Sequence, residues 1–285
     1  MILIADSGAT KTTWAAVWPN GRSELFSSSG CNPNYTGGRE MSGSISKALP
    51  ENVRPEEVTD VYFYCAGITE DGAANIRLML NELFPGAGRI ECESDLIGTA
   101  RAILGRRQEK GLVAILGTGS NSGFFEGEKI TEHVDCMGFI LGDEGSGAYI
   151  GKRYLQDFLR KNMPQDVYAA ARDEELLDRD DIIAHVYRGP RPSRYCASFC
   201  KVIAARMEES PYYRNLVKDS FRAFFREVIC RYDNYREYPL GCTGSIASIF
   251  ANELREVAAE FGTCIGMIMK EPIHGLVEYH CNIQD

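Results

Sequence analysis

Runs of apolar residues alternate with segments of helical periodicity along the first half of the chain. The runs Ile2–Ala5 and Val58–Gly67 predict buried strands. Thr13–Trp18 alternates enough to be the hairpin partner of the first run, and Glu24–Ser28 predicts a third strand. The segment EDGAANIRLMLNELF has apolar residues at helical spacing, and its leading acids favour a helix N-terminus. A short strand, RIECESD, ends at Asp95 and precedes the helix-like LIGTARAIL, so the pattern is that of an α/β protein.

The second half of the chain begins the same pattern again. GLVAILGTGSNSGFFEGEKI predicts a strand, a glycine- and serine-rich turn and a second strand, which repeats the arrangement at the N-terminus. After Gly145 the pattern is mostly helical and is interrupted by prolines. YPLGCTGSIASIFANELREVAAEF then predicts a strand, a glycine turn and a helix, TCIGMIM predicts a late strand, and PIHGLVEYH leads to a final short helix. We therefore expect two related α/β halves with a boundary near residues 108–112.

Composition narrows the class of protein further. The 285 residues favour about two domains, and a hydrophobic fraction of 44% is enough for ordinary cores. The net charge of −9 argues against a nucleic-acid partner, because binding a phosphate backbone needs a basic surface. No apolar run approaches the ~18 residues of a membrane span, and no targeting segment is visible. We therefore expect a cytoplasmic protein that binds small molecules and no membrane.

Ten cysteines are scattered along the chain, mostly in apolar stretches, which favours reduced and buried thiols. Cys196 and Cys200 lie one helical turn apart in YCASFCKV. A lone pair at this spacing is a weak metal signal, because zinc usually takes four ligands. We therefore expect no metal at these two thiols.

The first turn of the chain, in ILIADSGATKTTWAAVW, carries the first candidate chemistry. Asp6 ends a strand and could hold Mg²⁺ directly or through water, since hard cations prefer oxygen ligands. Gly8 would let the backbone approach a phosphate closely, and Thr10, Lys11 and Thr12 offer hydroxyl, ammonium and N–H donors. The alternative is a plain β-turn with a capping aspartate.

A second turn, LGTGSNSG, offers another set of phosphate contacts. Gly117, Thr118, Gly119 and Ser120 could surround oxyanions with backbone N–H groups. The turn is not a dinucleotide-binding fingerprint, because Ser122 stands where that pattern needs glycine. The alternative is a β-hairpin with a glycine-rich turn.

Two acids and a third glycine turn complete the candidate residues. Asp95 and Asp143 each follow a strand-like or glycine-rich stretch and precede a helix, so either could be a helix N-cap. Alternatively, Asp95 is a general base and Asp143 binds a polar ligand. Gly244 and Ser245 precede an amphipathic helix, an arrangement that suits an anion or a nucleotide but is also common in ordinary strand-to-helix turns.

The order of these motifs resembles the actin-like ATPase superfamily, which includes sugar kinases and actin. More narrowly, the chain resembles the N-acetylglucosamine kinase branch, which is grouped with the BadF/BadG/BcrA/BcrD ATPases. The most specific motif is LGTGSNS followed by GFILGDEGSGAYIG, while DSGATKT matches the usual first turn except for Ser7 in place of glycine. The resemblance covers nearly the whole chain.

The resemblance implies a two-lobed actin-like ATPase fold of the ribonuclease H-like type. Each lobe is expected to hold a mixed five-stranded sheet with helices, and the second lobe to carry extra helices. The lobes would be residues 1–110, joined by a last helix at about 271–285, and residues 111–270, closing over ATP. A homodimer is expected as well.

The resemblance also implies roles for individual residues. Asp6 would be the acid linked to Mg²⁺, and Asp95 would be the base. Asn32 matches a sugar-contacting asparagine, and Asp143 an acid that binds a sugar hydroxyl. Gly138 and Phe139 fall where that branch has Gly and Trp near the N-acetyl group. The implied ATP contacts are Gly8, Thr10, Lys11 and Thr12 in the first turn, Gly117, Thr118, Gly119 and Ser120 in the second, and Gly244 and Ser245 near the adenosine.

The activity implied is an ATP-dependent amino-sugar kinase that uses Mg²⁺ and acts at the 6-hydroxyl of N-acetylglucosamine or a relative such as N-acetylmuramate. One alternative is an ATPase that activates a CoA-ester reductase or dehydratase through an iron–sulfur cluster, although no glycine-flanked cysteine pair is present. The other is a non-catalytic sugar-sensing protein of the same fold, against which the presence of Asp6, Asp95 and Asp143 argues.

Overall fold

A computed structural model of the chain describes residues 1–8, 11–30, 38–105 and 110–281. The chain divides into two compact units. The first comprises Met1–Lys110, Phe125–Ile130 and Glu271–Asp285, and the second comprises Gly111–Phe124 and Thr131–Lys270.

A five-stranded sheet forms the centre of the first unit, in the order β3-β2-β1-β4-β5. Its strands are β1 (Ile2–Ser7), β2 (Lys11–Val17), β3 (Ser23–Ser29), β4 (Asp60–Cys65) and β5 (Arg89–Ser94). Its helices are α1 (Gly38–Ala48), α2 (Glu70–Leu83), α3 (Asp95–Leu104) and α13 (Ile273–Cys281). β1 pairs antiparallel with β2 and parallel with β4, and β4 pairs parallel with β5, so the sheet is mixed.

The side chains of β1 point alternately to the two faces of the sheet, and a layer of helices covers each face. Leu3 and Ala5 belong to a buried cluster with α1 and α2, which includes Met41 and Leu80. Since successive side chains of a strand point to opposite faces, Asp6 lies on the other face, which α3 and α13 cover. The side chain of Asp6 is therefore placed on the layer that contains the beginning of α3.

Glycines let the two helices of this second layer approach closely. A Cβ at Gly98 of α3 would lie 2.9 Å from ring atoms of Tyr64 on β4. A Cβ at Gly275 of α13 would lie 2.5 Å from the carbonyl oxygen of Ala102 on α3. A side chain at either position would push α3 away from its neighbours, so these contacts fix where α3 begins.

The second unit repeats the strand order of the first. Its sheet has the order β10-β9-β6-β7-β8, which corresponds strand for strand to the first sheet read from its far edge. The strands are β6 (Gly111–Leu116), β7 (Ser120–Glu126), β8 (Lys129–Glu132), β9 (Leu240–Thr243) and β10 (Ile265–Met269). β6 pairs parallel with β9, and β9 pairs parallel with β10.

The nine α-helices that the structure describes in the second unit all follow its first three strands. They are α4 (Gly138–Leu141), α5 (Gly147–Arg160), α6 (Gln165–Asp173), α7 (Arg179–Tyr187), α8 (Pro192–Ser198), α9 (Cys200–Ala205), α10 (Pro211–Glu227), α11 (Ser245–Ile249) and α12 (Ala251–Glu260). One buried cluster joins β6, α5, α10 and α12 through residues such as Leu116, Tyr154, Phe221 and Val257. No helix within the described ranges is long and apolar enough to cross a membrane.

The expected pair of α/β five-stranded sheets with extra helices in the second half is confirmed. Two details differ from the sequence-based expectation. β8 adds a third strand after the second glycine turn, where only two strands were expected. The segment PIHGLVEYH forms most of α13 rather than leading to it.

Candidate active site

Asp6 and Asp95 lie at the carboxyl-terminal ends of the parallel strands β1 and β5 of the first sheet. Asp6 is in register with Tyr64 of β4, and Tyr64 is in register with Glu93 of β5. Asp95 directly follows Ser94, the last residue of β5, and is the first residue of α3. Two strand spacings separate the backbones of β1 and β5, roughly 10 Å, which leaves room for a ligand between the two carboxylates.

Asp95 is not the N-cap of its helix, which was one of the two roles weighed for it. Ser94 is the N-cap, and its hydroxyl accepts a hydrogen bond of 3.2 Å from the N–H of Ile97. Because Ser94 performs the capping, the carboxylate of Asp95 is not needed for it. This leaves the general-base role as the remaining hypothesis for Asp95.

Both carboxyl groups have raised pKa values. Burial, followed by the charges of Asp95 and Glu271, raises the pKa of Asp6 to about 7, and the charge of Lys11 opposes this shift. Burial raises the pKa of Asp95 to about 6 against hydrogen bonds from backbone N–H groups, which favour the charged form. A group of acids held at elevated pKa and close to each other is typical of sites that bind a cation or move a proton.

Glu271 is a third acid at this site, and the sequence analysis missed it. Its Oε1 lies 3.8 Å from Nζ of Lys11, and its charge raises the pKa of Asp6. The pattern that could have revealed it is visible in the chain, because Glu271 stands where β10 gives way to α13, much as Asp95 stands where β5 gives way to α3. The charges of two acids from distant parts of the sequence therefore act on Asp6.

Replacing Asp6 by Asn is expected to raise the stability of the metal-free chain at pH 8. The pKa of Asp6 is about 7 in the folded chain and 3.8 in the ordinary reference state, so folding takes up a proton between these pH values. The stability that this proton provides is therefore present below about pH 4 and is lost as the pH rises from there toward 7, and the neutral amide avoids that loss. Thermal melts in EDTA from pH 4 to pH 8 would measure it. A variant no more stable than the wild type at pH 8 would contradict the raised pKa.

The first turn closes between Gly8 and Lys11. The N–H of Gly8 donates to the carbonyl of Lys11 at 3.1 Å, and a Cβ on Gly8 would make only an ordinary contact of 3.7 Å with that oxygen. The hydroxyl of Thr12 is buried and bonds the Ser7 hydroxyl at 2.7 Å and the Ser29 carbonyl at 3.2 Å. The structure thus gives Thr12 contacts within the sheet. Thr10 and Asn32 lie outside the described residues.

Backbone hydrogen bonds from the start of α5 hold the second glycine turn in place. The N–H of Gly147 donates to the carbonyl of Gly117 at 2.8 Å, and that of Ala148 to the carbonyl of Thr118 at 3.0 Å. The N–H of Gly117 donates to Gly119 at 3.0 Å. In these three hydrogen bonds the acceptors are carbonyl oxygens of the turn, so backbone contacts fix the orientation of the turn. The N–H groups at the start of α5 are engaged with the turn.

Asp143 joins the same turn from its side chain. Its Oδ1 accepts a hydrogen bond of 3.2 Å from the N–H of Ser120, and Oδ2 would lie 3.1 Å from a Cβ on Gly119. Asp143 is 8% exposed and has a φ of +60°, an uncommon conformation for a residue other than glycine. Burial raises the pKa of its carboxyl group. Ser146, not Asp143, is the N-cap of α5, so the capping interpretation of Asp143 is wrong.

The third glycine turn meets the second. Gly244 has a φ of +111°, and a Cβ there would collide with the carbonyl oxygen of Leu116, so only glycine fits. Ser245 begins α11 and is exposed. A Cβ at Gly147 would also lie 3.0 Å from Ile246. The structure thus brings Gly117, Gly119, Asp143 and Gly244 together within the second unit.

Gly138 and Phe139 form a separate short segment, α4. Lys152 of α5 donates from Nζ to the carbonyl of Phe139 at 2.8 Å and lies 5.1 Å from the centre of its ring. Phe139 is half-buried against the core of the second unit, whereas Ile140 next to it is 83% exposed. Lys152, which the sequence analysis did not single out, therefore positions Phe139.

Cys196 and Cys200 lie on two successive helices, α8 and α9, not on one. Both are buried free thiols, and burial raises their pKa values to about 11 and about 12. Among residues 1–8, 11–30, 38–105 and 110–281, no group of three or more His, Cys, Asp or Glu side chains has the arrangement of a metal site. Such thiols stay protonated at neutral pH, which is typical of core cysteines.

A network of charged and polar side chains surrounds Arg101, which lies further along α3 than Asp95. Arg101 is 8% exposed, forms an ion pair with Glu91, and donates from Nη1 to the Tyr64 hydroxyl at 2.8 Å. The Tyr64 hydroxyl in turn bonds Nε2 of His280 on α13 at 2.8 Å. Arg101 thus connects α3 to the sheet and, through Tyr64, to α13. A cavity of about 380 Å³ borders this network on the side of Arg89 and Tyr62.

Comparison with known proteins shows that the chain is similar to sugar kinases. No protein-family model matches the chain, and no curated protein sequence matches it. A presumed N-acetylglucosamine kinase from Porphyromonas gingivalis matches at 36% identity over 99% of this chain and 99% of that one, with a TM-score of 0.92. The crystal structure of a presumed N-acetylglucosamine kinase from Chromobacterium violaceum matches at 16% identity over 97% of each chain, with a TM-score of 0.76.

A more distant match is a ROK family glucokinase from Streptomyces griseus in complex with glucose and AMPPNP. It is 15% identical over 99% of this chain and 98% of that one, with a TM-score of 0.59. At such identities the Chromobacterium and Streptomyces proteins show a shared fold alone. The Porphyromonas protein is similar in sequence as well as in fold along its whole length.

Proposed function

The chain belongs to the N-acetylglucosamine kinase-like family of sugar kinases with the actin-like ATPase fold, and we propose that it transfers the γ-phosphoryl group of ATP to the 6-hydroxyl of an amino sugar. The observation that carries the proposal is the pair of half-buried carboxyl groups, Asp6 and Asp95, at one edge of the first sheet with raised pKa values. Their different surroundings favour different roles.

Asp95 is the general base of the proposed reaction. With a pKa of about 6, it is mostly ionised at pH 7 and yet basic enough to accept a proton from an alcohol as that alcohol reacts. The sugar oxygen forms a bond to the γ-phosphorus, the bond from that phosphorus to the β–γ bridging oxygen breaks, and ADP leaves. The proton of the hydroxyl goes to Asp95 and then to solvent.

Asp6 is the residue that would hold Mg²⁺, directly or through water. The site fits this ion, because carboxylate oxygens are its preferred ligands and the repulsion from Asp95 and Glu271 favours a cation at Asp6. When bound, Mg²⁺ neutralises charge on the phosphates of ATP. Lys11, with its ammonium group 3.8 Å from Glu271, is held in the first turn and supplies a further positive charge for a phosphate.

The glycine turns supply backbone contacts to ATP in this proposal. Gly117 has no atom within 4 Å of an added Cβ, so the fold itself does not require glycine there. The same is nearly true of Gly8, whose Cβ would make only ordinary contact. The protein leaves space at these two positions, so packing does not explain the glycines there. A phosphate that approaches the backbone closely would need such positions to lack a side chain. Gly244 and Ser245 are assigned to the adenosine side.

Gly117→Ala is expected to weaken ATP binding about tenfold without lowering stability. Alanine fits the space and reduces the freedom of the unfolded chain, so the free energy of unfolding should be unchanged or rise by about 0.5–1 kcal/mol. Calorimetric titration with ATP and a thermal melt would measure the two effects. Gly43→Ala, at another position with no atom within 4 Å of an added Cβ, is the control. Equal ATP affinity for both variants would remove Gly117 from the site.

The acceptor is assigned as N-acetylglucosamine or a relative such as N-acetylmuramate. The Porphyromonas relative is named for N-acetylglucosamine, which supports an amino sugar. Asp143 is the residue proposed to bind a sugar hydroxyl, because its buried carboxylate keeps oxygen lone pairs beyond the one used by Ser120. Gly138 and Phe139 are proposed to lie near the N-acetyl group.

The direct test measures ADP release from Mg-ATP in the presence of N-acetylglucosamine, N-acetylmuramate, glucosamine and glucose. The proposal expects sugar-dependent ADP with an N-acetylated sugar and a product phosphorylated at the 6-position, which phosphorus NMR would identify. ADP release with none of the four sugars would overturn the sugar-kinase assignment. Release with glucose alone would keep the kinase and overturn the amino-sugar acceptor.

A further inference from the structure

A second cavity lies between α5 and α10 in the second unit, apart from the residues assigned above. Its volume is about 510 Å³, within the roughly 300–1,000 Å³ typical of small-molecule sites. Tyr149, Arg153 and Asp157 line it from one face of α5, at intervals of four residues. Tyr212, Asn215 and Ser220 line it from α10.

The hydroxyl of Ser220 is the feature that needs explanation. Ser220 is 2% exposed, and its Oγ makes no hydrogen bond with any residue in the described part of the chain. A buried hydroxyl without a partner is costly, and such groups in native proteins usually have a water or ligand partner. Ser220 lines the cavity, but less than 1 Å² of its Oγ is exposed, so a molecule inside the cavity would supply that partner only after the serine side chain turns toward it.

The remaining lining combines aromatic rings with paired donors and acceptors. The Tyr212 hydroxyl donates to Oδ2 of Asp157 at 2.9 Å, and burial raises the pKa of Tyr212, so the phenol stays protonated. A carboxylate has two oxygens, and Tyr212 uses one of them. Asn162 and Asn215 add amides, each of which can donate and accept, while Arg153 adds a guanidinium.

This chemistry favours a neutral polyhydroxyl compound over an ion. Asp219 is paired with Arg222 at 2.7 Å, so Asp157 and Arg153 leave one charge of each sign at the cavity, and net charge favours neither an anion nor a cation. Carboxylate and amide groups pair with adjacent hydroxyls, and the ring of Tyr149 offers an apolar face to C–H groups. We propose that the cavity between α5 and α10 is a second sugar-binding site, separate from the proposed acceptor site and independent of the proposed reaction.

Filling the cavity tests the proposal. Asn215→Trp places a bulky ring from an exposed position of α10 into the cavity, and Glu227→Trp puts the same ring at the exposed end of the same helix as the control. Calorimetric titration of the full chain with N-acetylglucosamine, glucose, galactose and N,N′-diacetylchitobiose gives the number of sugars bound. Asn215→Trp is expected to bind one sugar fewer than the wild type and Glu227→Trp the same number.

The number of sugars bound distinguishes the second sugar-binding site from the proposed acceptor site. If both proposals hold, the wild type binds two sugars and Asn215→Trp binds one. If only the cavity binds sugar, the numbers are one and none. Equal numbers for the wild type and Asn215→Trp, or no binding of any of these sugars to the wild type, would overturn the second site.

Ser220→Ala distinguishes a ligand-binding role from a structural one. Because Ser220 makes no hydrogen bond to a described residue, removing its hydroxyl should leave the Tm of the unliganded chain unchanged or slightly raised. Sugar affinity at the cavity should fall by about 5- to 10-fold. A lowered Tm with unchanged sugar affinity would overturn the assignment of this hydroxyl to a ligand.

Discussion

Replacing Asp95 by Asn is expected to lower kcat for sugar phosphorylation by roughly 10²–10⁴-fold, the usual contribution of a positioned base. The amide has nearly the same shape as the carboxylate but cannot accept the proton of the attacking hydroxyl. Ser94 still caps α3, so the helix should begin at the same residue in the variant. ATP affinity is expected to stay within about twofold of the wild type, because Asp95 binds no phosphate in this proposal.

The pH dependence of the wild type gives a second view of the same group. With the pKa of Asp95 at about 6, kcat/KM should fall about tenfold per pH unit below that value, since the protonated carboxyl cannot act as a base. Glu93→Gln is the control, because Glu93 lies two positions earlier at the same sheet edge. Turnover that survives in Asp95→Asn would show that another group takes the proton.

Replacing Arg101 by Met is expected to lower the free energy of unfolding by roughly 3 kcal/mol, because it leaves the mostly buried Glu91 with one partner fewer. The Arg101 and Glu91 side chains are 10% and 18% exposed, so water replaces the lost contact poorly. The variant also removes the donor to the Tyr64 hydroxyl, which links α3 to α13 through His280. Urea unfolding followed by circular dichroism measures the change.

Arg89→Met is the matched control for this stability prediction. Arg89 pairs with the same acid, Glu91, at 2.6 Å, but its side chain is 61% exposed. An exposed ion pair is usually worth less than about 1 kcal/mol, so the control should unfold close to the wild type. Equal losses for the two variants would mean that burial of Arg101 does not set the strength of the network.

Strands, helices and candidate residues that have a local signal could be predicted from the sequence. β1 and β4 are apolar runs rich in β-branched and aromatic residues, and α2 has helical periodicity after Thr69, its N-cap. The candidate acids Asp6 and Asp95 come at the ends of strand-like runs, so their position at the ends of β1 and β5 could be predicted. The repeated order of strand, turn and strand also predicted that the two halves would be alike, and both sheets have the same strand order.

Contacts between distant segments could not be predicted in the same way. Lys11 and Glu271 stand near opposite ends of the chain, and Tyr64 and His280 are 216 positions apart, so no local pattern connects them. The capping roles of Asp95 and Asp143 were ambiguous because an acid and a neighbouring serine both suit an N-cap, and in each case serine takes the position. The left-handed backbone of Asp143 depends on the packing of its loop against the second glycine turn, which sequence alone does not show.

In the proposed reaction Asp95 deprotonates a sugar hydroxyl while Asp6 faces the metal of the bound nucleotide. A crystal structure of the chain with Mg²⁺, a non-hydrolysable ATP analogue and N-acetylglucosamine would test it most directly. We predict that the Asp95 carboxylate lies within about 3 Å of the 6-hydroxyl oxygen and that the metal is coordinated by Asp6 or by a water bound to it. A sugar bound with every hydroxyl beyond hydrogen-bond reach of Asp95 would contradict the account.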